Sequence, residues 1–318
     1  MKASWQAHVA VWMLKLRFKP ALARASGNVS RMRELMTPAP FRVPREITGV
    51  TITPAQVGGI AGEWVVPQGG GAHTLLYLHG GGYFACSAET HRNITVAFAR
   101  EHFRVFAPDY RLGPEHPFPA AVDDAVAAWR GLLDLGNSPR KLVVAGDSAG
   151  GGLAVALLVA NRDRGDQLPA AAALFSPWTD LAATGNSIRE NDRSCAMFVG
   201  ANMGPVARLY LGGADPRNPL ASPLYADLSG LPPMLIHVGS DEVLLDDSRR
   251  LAERARAAGV AVDLKIWPVV PHAWQLVCYP GVREARQSIR EAVAFLHTNA
   301  NSSVSMVGQA SARAGIHA

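Results

Sequence analysis

Gly146-Asp147-Ser148-Ala149-Gly150-Gly151 is the most informative stretch of this chain. The apolar run at 142–145 precedes it, and a long run of small and apolar residues follows it. In such a G-x-S-x-G elbow a strand turns sharply into a helix and lifts the serine hydroxyl clear of the backbone. Gly146 and Gly150 suit this turn because side chains there would collide as the chain doubles back. The stretch therefore predicts an exposed nucleophile at the end of a strand.

A second glycine-rich string, His79-Gly80-Gly81-Gly82-Tyr83-Phe84, precedes the elbow in the chain. Consecutive backbone N–H groups without intervening side chains can hold negative charge that develops on a carbonyl oxygen. We expect the N–H groups of Gly80, Gly81 and Ala149 to form this oxyanion hole. His79 is expected to hydrogen-bond within its loop rather than to act as a base. A nucleophile beside an anion site predicts acyl transfer.

A serine hydroxyl needs a neighbouring base, and the base needs an orienting acid. In α/β-hydrolases these residues follow the chain order Ser, Asp or Glu, His. Asp241, directly after an apolar run, is predicted to be the acid, and His272 is predicted to be the base.

Both assignments have rivals elsewhere in the sequence. Glu242, Asp246 and Asp247 compete with Asp241, and the last two fit the first turn of a helix, where the helix dipole favours acidic residues. His237 and His297 compete with His272. His237 lies inside an apolar strand and is expected to be a core histidine, whereas His297 closes a helical pattern.

Strand-like and helix-like segments alternate from about residue 47 onward. This alternation predicts an α/β fold with an eight-stranded, mostly parallel sheet covered by helices on both faces. The eight candidate strands are 47–53, 62–66, 74–78, 104–107, 141–145, 171–175, 234–238 and 262–267.

The sequence divides into three parts around this sheet. Residues 1–45 are expected to form an N-terminal helical cap segment, 46–298 the catalytic domain, and 299–318 a flexible tail. The stretch at about 180–228 interrupts the alternation and is expected to be a helical cap insert, since a structureless loop of that length is rare in a compact domain.

The first helix carries an apolar stripe with basic residues around it. Its members recur at helical spacing: Trp5, Val9, Trp12, Met13 and Leu16. Such a stripe can lie on a membrane surface, but packing against the rest of the protein is the interpretation that we favour.

Composition excludes several classes of function. The 318 residues carry 31 basic and 26 acidic side chains, a net charge of +5, and the basic residues form no continuous patch, so nucleic-acid binding is not expected. The three cysteines have no C-x-x-C spacing, which fits a reducing compartment such as the cytoplasm. No metal-ligand or phosphate-loop pattern is present. No apolar run reaches the roughly 18 residues of a membrane span, so stable membrane insertion is not expected.

Six separated motifs together resemble the hormone-sensitive lipase family of bacterial α/β-hydrolases, in particular its GDSAG-type branch. They are HGGGYF at 79–84, DYRLGPEHPFPAA at 109–121, GDSAGG at 146–151, SPWTDL at 176–181, the aspartate in GSDE at 239–242 and the histidine in PHAW at 271–274.

The resemblance implies an α/β-hydrolase fold with a cap, and esterase activity on short to medium acyl chains without a cofactor. It also implies a possible homodimer. It places the nucleophile on Ser148, the acid on Asp241, the base on His272 and the oxyanion glycines on Gly80 and Gly81. One departure is Glu242, since a proline often follows the aspartate in the family.

The main hypothesis is therefore a serine carboxylesterase acting on a small-molecule ester. A lactone hydrolase with the same triad is the alternative, and a ligand-binding protein, as in the plant gibberellin receptor that resembles this family, is a third. Side chains expected to shape the substrate pocket are Tyr83, Phe84, Trp178, Met197, Phe198, Met203 and Trp274.

Overall fold

The computed structural model describes residues 3–37 and 46–314 and is built around one nine-stranded sheet. The strand order is β1-β2-β3-β5-β4-β6-β7-β8-β9. The strands are β1 (Glu46–Ile47), β2 (Val50–Val57), β3 (Ile60–Pro67), β4 (His73–Leu78), β5 (Phe103–Pro108), β6 (Leu142–Asp147), β7 (Ala172–Phe175), β8 (Met234–Gly239) and β9 (Val262–Trp267). The eight predicted strands are all present, and the short β1 adds a ninth at one edge.

In this order the pairings from β1 to β5 are antiparallel, and those from β5 through β4 to β9 are parallel. Every residue of β4, β6, β7 and β8 is buried. This burial explains their continuous apolar sequences, because a parallel strand with helices on both sides has no solvent face. The predicted α/β fold class is confirmed.

Helices cover both faces of the sheet. α5 (Ala120–Asp134), α6 (Ala149–Arg164) and α9 (Leu245–Ala257) share one buried apolar cluster with the sheet. α4 (Arg92–Arg100) and α11 (Arg283–Ala314) pack on the opposite face. The remaining helices are α1 (Trp5–Met13), α2 (Lys19–Arg24), α3 (Val29–Met36), α7 (Ser187–Glu190), α8 (Met203–Leu211) and α10 (Trp274–Val277).

The strand order changes direction beside β4, and this switch positions the loops that carry chemistry. β4 and β6 are neighbours with Leu78 opposite Gly146, and β8 and β9 are neighbours with Gly239 opposite Trp267. The loops that follow these four strands therefore lie at the same edge of the sheet. Ligand sites in open α/β sheets form at such an edge, outside the carboxyl ends of the strands.

The first helix packs with its small residues inward, contrary to the interpretation that we favoured. Ala7 is fully buried beside Trp267 and Trp274, and Ser4 caps the helix while bonding to the Glu284 carboxylate at 2.7 Å. The apolar stripe faces outward instead: Trp5, Val9, Trp12, Met13 and Leu16 are all exposed. The prediction that this stripe packs on the protein is wrong.

The predicted cap insert and the predicted tail both contain helices. The insert between β7 and β8 contains α7 and α8 together with two short 3₁₀ turns. The predicted tail begins at residue 299, yet α11 continues to Ala314, and residues 315–318 lie outside the described residues. Within the described parts of the chain, no helix is both long and apolar enough to cross a bilayer.

Candidate active site

Ser148 lies at the sharp turn between β6 and α6, as the sequence predicts. Its backbone has φ +52° and ψ −122°, a left-handed conformation that few residues other than glycine adopt. The turn is possible because the chain passes close to itself: a Cβ at Gly146 would lie 2.4 Å from the Gly150 oxygen, and one at Gly150 would lie 2.0 Å from the Leu78 oxygen. The strained turn directs the hydroxyl into a cavity.

His272 follows β9 and is held by the carboxylate of Glu242, which follows β8. The His272 Nδ1 atom lies 2.6 Å from Glu242 Oε2. The other oxygen of Glu242 accepts from the Gly239 amide at 2.6 Å and from the Ser176 hydroxyl at 2.7 Å. Both side chains of the pair are almost fully buried. Three hydrogen bonds thus fix the carboxylate in the position that orients the imidazole.

The assignment of Asp241 as the acid is wrong. Its side chain is half-buried, and among the described residues its carboxylate accepts one hydrogen bond, from the adjacent Ser240 hydroxyl at 3.4 Å. Glu242, which the sequence offered as a rival, lies one residue further along the turn and has one more methylene. Its side chain therefore reaches the imidazole. Asp246 and Asp247 begin α9, as predicted.

His272 lines the same cavity as Ser148, and its second ring nitrogen is free of the carboxylate. Nε2 is buried and has no hydrogen-bond partner among the described residues. Ser148, His272 and Phe198 line the same cavity, and the Phe198 ring contacts the imidazole edge-on at 4.8 Å between centroids. An imidazole with one nitrogen held by a carboxylate and the other free can accept a proton from a neighbouring hydroxyl.

The glycine string after β4 offers two amides as candidate oxyanion donors, that of Gly81 as the sequence predicts and that of Gly82 in place of Gly80. The Gly80 N–H already donates to Asp147 Oδ1 at 3.1 Å, so the expectation for Gly80 is wrong. Gly81 and Gly82 line the cavity, and their N–H groups have no acceptor within the described chain.

Ala149 is the third predicted donor. It is the first residue of α6, and the N–H of such a residue has no acceptor within its own helix. Gly81, Gly82 and Ala149 are therefore the candidate oxyanion donors beside Ser148. Since Gly81 has φ +117° and Gly82 has φ +61°, the loop needs glycine at both positions.

A buried network around Asp147 holds the glycine loop. Besides the Gly80 amide, Asp147 Oδ1 accepts from the Tyr77 hydroxyl at 2.8 Å, and His91 Nε2 lies 3.3 Å away. Burial acts to raise the pKa of Asp147, but His91 and these hydrogen bonds outweigh it and hold the pKa below its usual value. The carboxylate therefore stays charged and ties β4 to β6 directly behind the reaction centre.

Two other polar residues near the site do not supply catalytic groups. His79 bonds through Nδ1 to the Gly80 oxygen at 2.7 Å and stacks on Tyr110, and burial lowers its pKa to about 3. His79 therefore shapes the loop, as predicted. Cys86 lines the cavity, but burial raises the pKa of its thiol to about 12, so it is no reactive thiolate.

The cavity has a volume of about 250 Å³ and a mostly apolar lining. Five of the seven predicted pocket residues line it: Phe84, Trp178, Met197, Phe198 and Met203. The other two do not. Tyr83 is buried against Tyr210 with ring centroids 3.9 Å apart, and Trp274 is fully buried behind the site with Trp267.

Sequence reasoning missed one wall of the cavity, which the N-terminal segment supplies. Leu14, Phe18 and Leu22 line it, followed by Met32, Leu35 and Met36. The first three recur at a spacing of four residues, a helical pattern distinct from the exposed stripe. That second pattern could have identified them.

Comparisons with known proteins agree with this geometry. Residues 75–276 match a family model described as the alpha/beta hydrolase fold. An acetyl-hydrolase from Streptomyces hygroscopicus is 49% identical over 76% of this chain and 81% of its own. An esterase of the bacterial hormone-sensitive lipase family has a solved structure with 42% identity and a TM-score of 0.87, covering 94% of this chain and all of its own. A structure of EstE5 with PMSF has 39% identity and a TM-score of 0.85, with the same coverage.

The fold and the site together define an α/β-hydrolase with a serine at the nucleophile elbow. At these identities and coverages the family is established as well. The chain belongs to the bacterial hormone-sensitive lipase family, and it is a carboxylic ester hydrolase.

Proposed function

We propose that this protein hydrolyses esters through an acyl-enzyme on Ser148, with His272 as the base and Glu242 as the acid that orients it. The observation that carries the proposal is the hydrogen bond of 2.6 Å between Glu242 and His272, which lines the same cavity as Ser148 and has no partner for Nε2 among the described residues. The carboxylate fixes the tautomer in which Nε2 accepts a proton, and it stabilises the imidazolium that forms.

The reaction then proceeds in two halves. His272 takes the hydroxyl proton of Ser148 while the oxygen attacks the ester carbonyl, and the carbonyl oxygen becomes negatively charged. The amides of Gly81, Gly82 and Ala149 stabilise this charge. The imidazolium returns the proton to the leaving alcohol, and the acyl group stays on the serine. Water then attacks with His272 again as base, which releases the acid.

The cavity supports acyl chains of short to medium length. Its volume is about 250 Å³, and the described residues that line it include no basic side chain other than the two histidines His91 and His272. An apolar protein cavity of about 150 Å³ holds one benzene molecule. In proportion, this cavity accommodates roughly ten carbon atoms. An uncharged acyl chain is preferred, because a charged one would lose its hydration without gaining a partner.

A fluorophosphonate probe and p-nitrophenyl butyrate test the proposal together. We expect the wild type to be labelled covalently and to turn over the ester. Ser148→Ala is expected to lose labelling and to lower kcat by about 10⁶. Retention of more than a tenth of the activity in this variant contradicts the assignment. A protein that binds the ester but neither reacts with the probe nor releases nitrophenol is a ligand-binding protein on this scaffold.

The proposal includes two further expectations, one on the cellular location and one on the oligomeric state. We expect the protein in the cytoplasm, since its three cysteines are all unpaired. A homodimer is expected from the family resemblance, and sedimentation equilibrium of the purified chain measures it directly.

A further inference from the structure

The outward face of the first helix is a concentrated apolar surface. Eight large apolar side chains are exposed in the described residues, and five of them lie on this face: Trp5, Val9, Trp12, Met13 and Leu16. Trp5 is 72% exposed and Trp12 is 63% exposed. Exposed apolar residues are ordinary when scattered, but a contiguous group of this kind marks an interaction surface. We call these five residues the outer stripe.

The charge around the outer stripe has one sign. The first 33 residues contain seven of the 31 basic residues of the chain and none of its 26 acidic residues. The remaining residues carry 24 basic and 26 acidic side chains, so the net positive charge of the protein comes from this segment. Lys15, Arg17 and Arg24 are exposed and form no ion pair within the described chain. An anionic surface complements this arrangement.

The segment that carries the outer stripe also forms part of the cavity wall, with its other side. Leu14 and Phe18 line the cavity and belong to the same helical segment as the stripe, which continues from α1 through a π-helical turn. Val277, another exposed apolar side chain, lines the cavity as well. Leu14 and Phe18 share the helical spacing of the buried Ala7, so the cavity wall and the outer stripe lie on opposite sides of this segment.

The segment is fixed to the body, so the stripe is presented rigidly. Glu284 holds the Ser4 amide and hydroxyl at 2.7 Å each. Lys19 donates to the carbonyl oxygen of Cys195 at 3.0 Å and also to that of Asp192. The outer stripe thus stays exposed while the inward face of α1 is buried.

We propose that the outer stripe docks on the surface of an anionic lipid bilayer. An amphipathic helix with tryptophan on its apolar face and basic residues beside it lies in the plane of such a surface. Tryptophan favours the boundary between headgroups and acyl chains. This docking does not rest on the proposed function.

Flotation with lipid vesicles tests the docking. The wild type is expected to float with vesicles of phosphatidylcholine and phosphatidylglycerol in a 7:3 ratio, and weakly with phosphatidylcholine alone. The double variant Trp5→Ser/Trp12→Ser is expected to lower the partition coefficient at least about tenfold. Lys15→Gln/Arg17→Gln is expected to lower it about 25-fold, since each basic side chain near an anionic surface contributes about fivefold. Added salt has the same effect on the wild type.

Leu135→Ser is the matched control, because Leu135 is 62% exposed and lies at the end of α5, away from the stripe. Its partition is expected to stay within twofold of wild type. All four proteins should turn over dissolved p-nitrophenyl butyrate at equal rates, which shows that the variants are folded. A wild type without that activity contradicts the proposed function, while flotation still decides the docking.

The docking proposal is overturned if the wild type does not float with the anionic vesicles, or if the tryptophan variant floats equally well. It is also overturned if sedimentation shows a wild-type dimer that becomes monomeric in Trp5→Ser/Trp12→Ser while neither protein binds vesicles. In that case a second copy of this chain covers the stripe.

Discussion

At the scale of single residues, the length of one side chain distinguishes two adjacent carboxylates. Glu242 lies where its carboxylate reaches both the Gly239 amide and His272, whereas Asp241 next to it is half-buried and contacts Ser240. A buried charge is stable only with several hydrogen-bond partners. Glu242 has three such partners, and they hold its carboxylate where it can orient His272.

Substitution of the two carboxylates separates their roles. Glu242→Gln is expected to lower kcat by about 10⁴, because the amide cannot stabilise the imidazolium and favours the wrong tautomer. Asp241→Asn should leave kcat within threefold of wild type. Steady-state kinetics on p-nitrophenyl butyrate measures both. A large loss in Asp241→Asn together with a small one in Glu242→Gln would reverse the assignment.

Asp147 is expected to act as a positioning residue, since it holds the Gly80 amide behind the oxyanion loop. Asp147→Asn should lower kcat by about 10²–10³ with little change in KM, because donors displaced from the oxyanion stabilise the transition state less than before. Tyr77→Phe, which removes one hydrogen bond to the same carboxylate, should lower kcat by a smaller factor. An increase in KM at unchanged kcat contradicts this role.

The sequence identified the motifs that form the candidate site but not every residue within them. Each error has a physical cause. Ser148 and His272 follow from the glycine pattern and from chain order, which need no distances. Glu242 and Gly82 depend on the direction that a turn gives to a side chain or an amide. That direction comes from φ and ψ values that residue types alone do not fix.

At the scale of elements, α1 shows a similar limit of prediction. Helical spacing identified an apolar stripe, but it does not say which side of the helix meets the protein. The inward side carries Ala7 and Ala10, whose small side chains allow close approach to the body of the protein. The strands were easier to predict, because a buried parallel strand is apolar on both faces and can be recognised without knowing its orientation.

Any side chain at Gly150 is expected to disrupt the elbow between β6 and α6. A Cβ there would lie 2.0 Å from the Leu78 oxygen and 2.4 Å from the His79 oxygen, both backbone atoms that cannot move aside. Gly150→Ala should therefore fail to fold or lower Tm by 10 °C or more, an order of magnitude set by a loss of several kcal/mol. Calorimetry checks this.

Gly204→Ala is the control for that variant. Gly204 lies in the first turn of α8, and an added Cβ meets one atom, 3.9 Å away at the end of the Arg208 side chain. Its Tm should be unchanged or slightly raised, since alanine favours helices over glycine by about 1 kcal/mol. Equal Tm values for the two variants would contradict the steric argument.

The insert between β7 and β8 is tied to α9 through Asp247, whose burial and the nearby Asp180 raise its pKa to about 8. Asp247 Oδ2 accepts from the amides of Thr179 and Asp180 at 2.8 and 2.9 Å. Between about pH 4 and 8 the folded protein holds a proton on this group that the unfolded chain lacks. Its contribution to the free energy of unfolding therefore falls as pH rises through that range.

Asp247→Asn removes this titration and keeps an oxygen for the two amides. The Tm of the variant relative to wild type is expected to increase steadily from pH 4 to pH 8. Differential scanning calorimetry at several pH values measures the difference. A Tm difference that stays constant over this range shows that Asp247 titrates as an ordinary carboxylate.

At the scale of the whole molecule, two segments far apart in the chain enclose one cavity. Leu14, Phe18 and Leu22 come from the N-terminal segment, and Met197 and Met203 come from the insert. The sequence predicted both segments as cap elements. It could not show how they meet, because their contact depends on the folding of strands that lie between them in the chain. The volume of the cavity is therefore a property of the assembled chain.

That volume sets the expected chain-length profile. Turnover of p-nitrophenyl esters should be highest between about four and eight acyl carbons and should fall beyond about ten, since a cavity of about 250 Å³ holds no longer chain. Measurement of kcat/KM from acetate to palmitate gives the profile. A maximum at palmitate would contradict this limit, because the acyl chain would then extend out of the cavity.

The reaction centre collects residues from the ends of β4, β6, β8 and β9, and these strands extend from position 73 to position 267. A fragment that stops short of β9 lacks the base, and one that begins after β4 lacks the strand that positions the glycine loop. Ester turnover consequently reports complete assembly of the sheet. During refolding from denaturant, activity should return with the last of these strands to join, so a colorimetric assay can time the slowest step of folding.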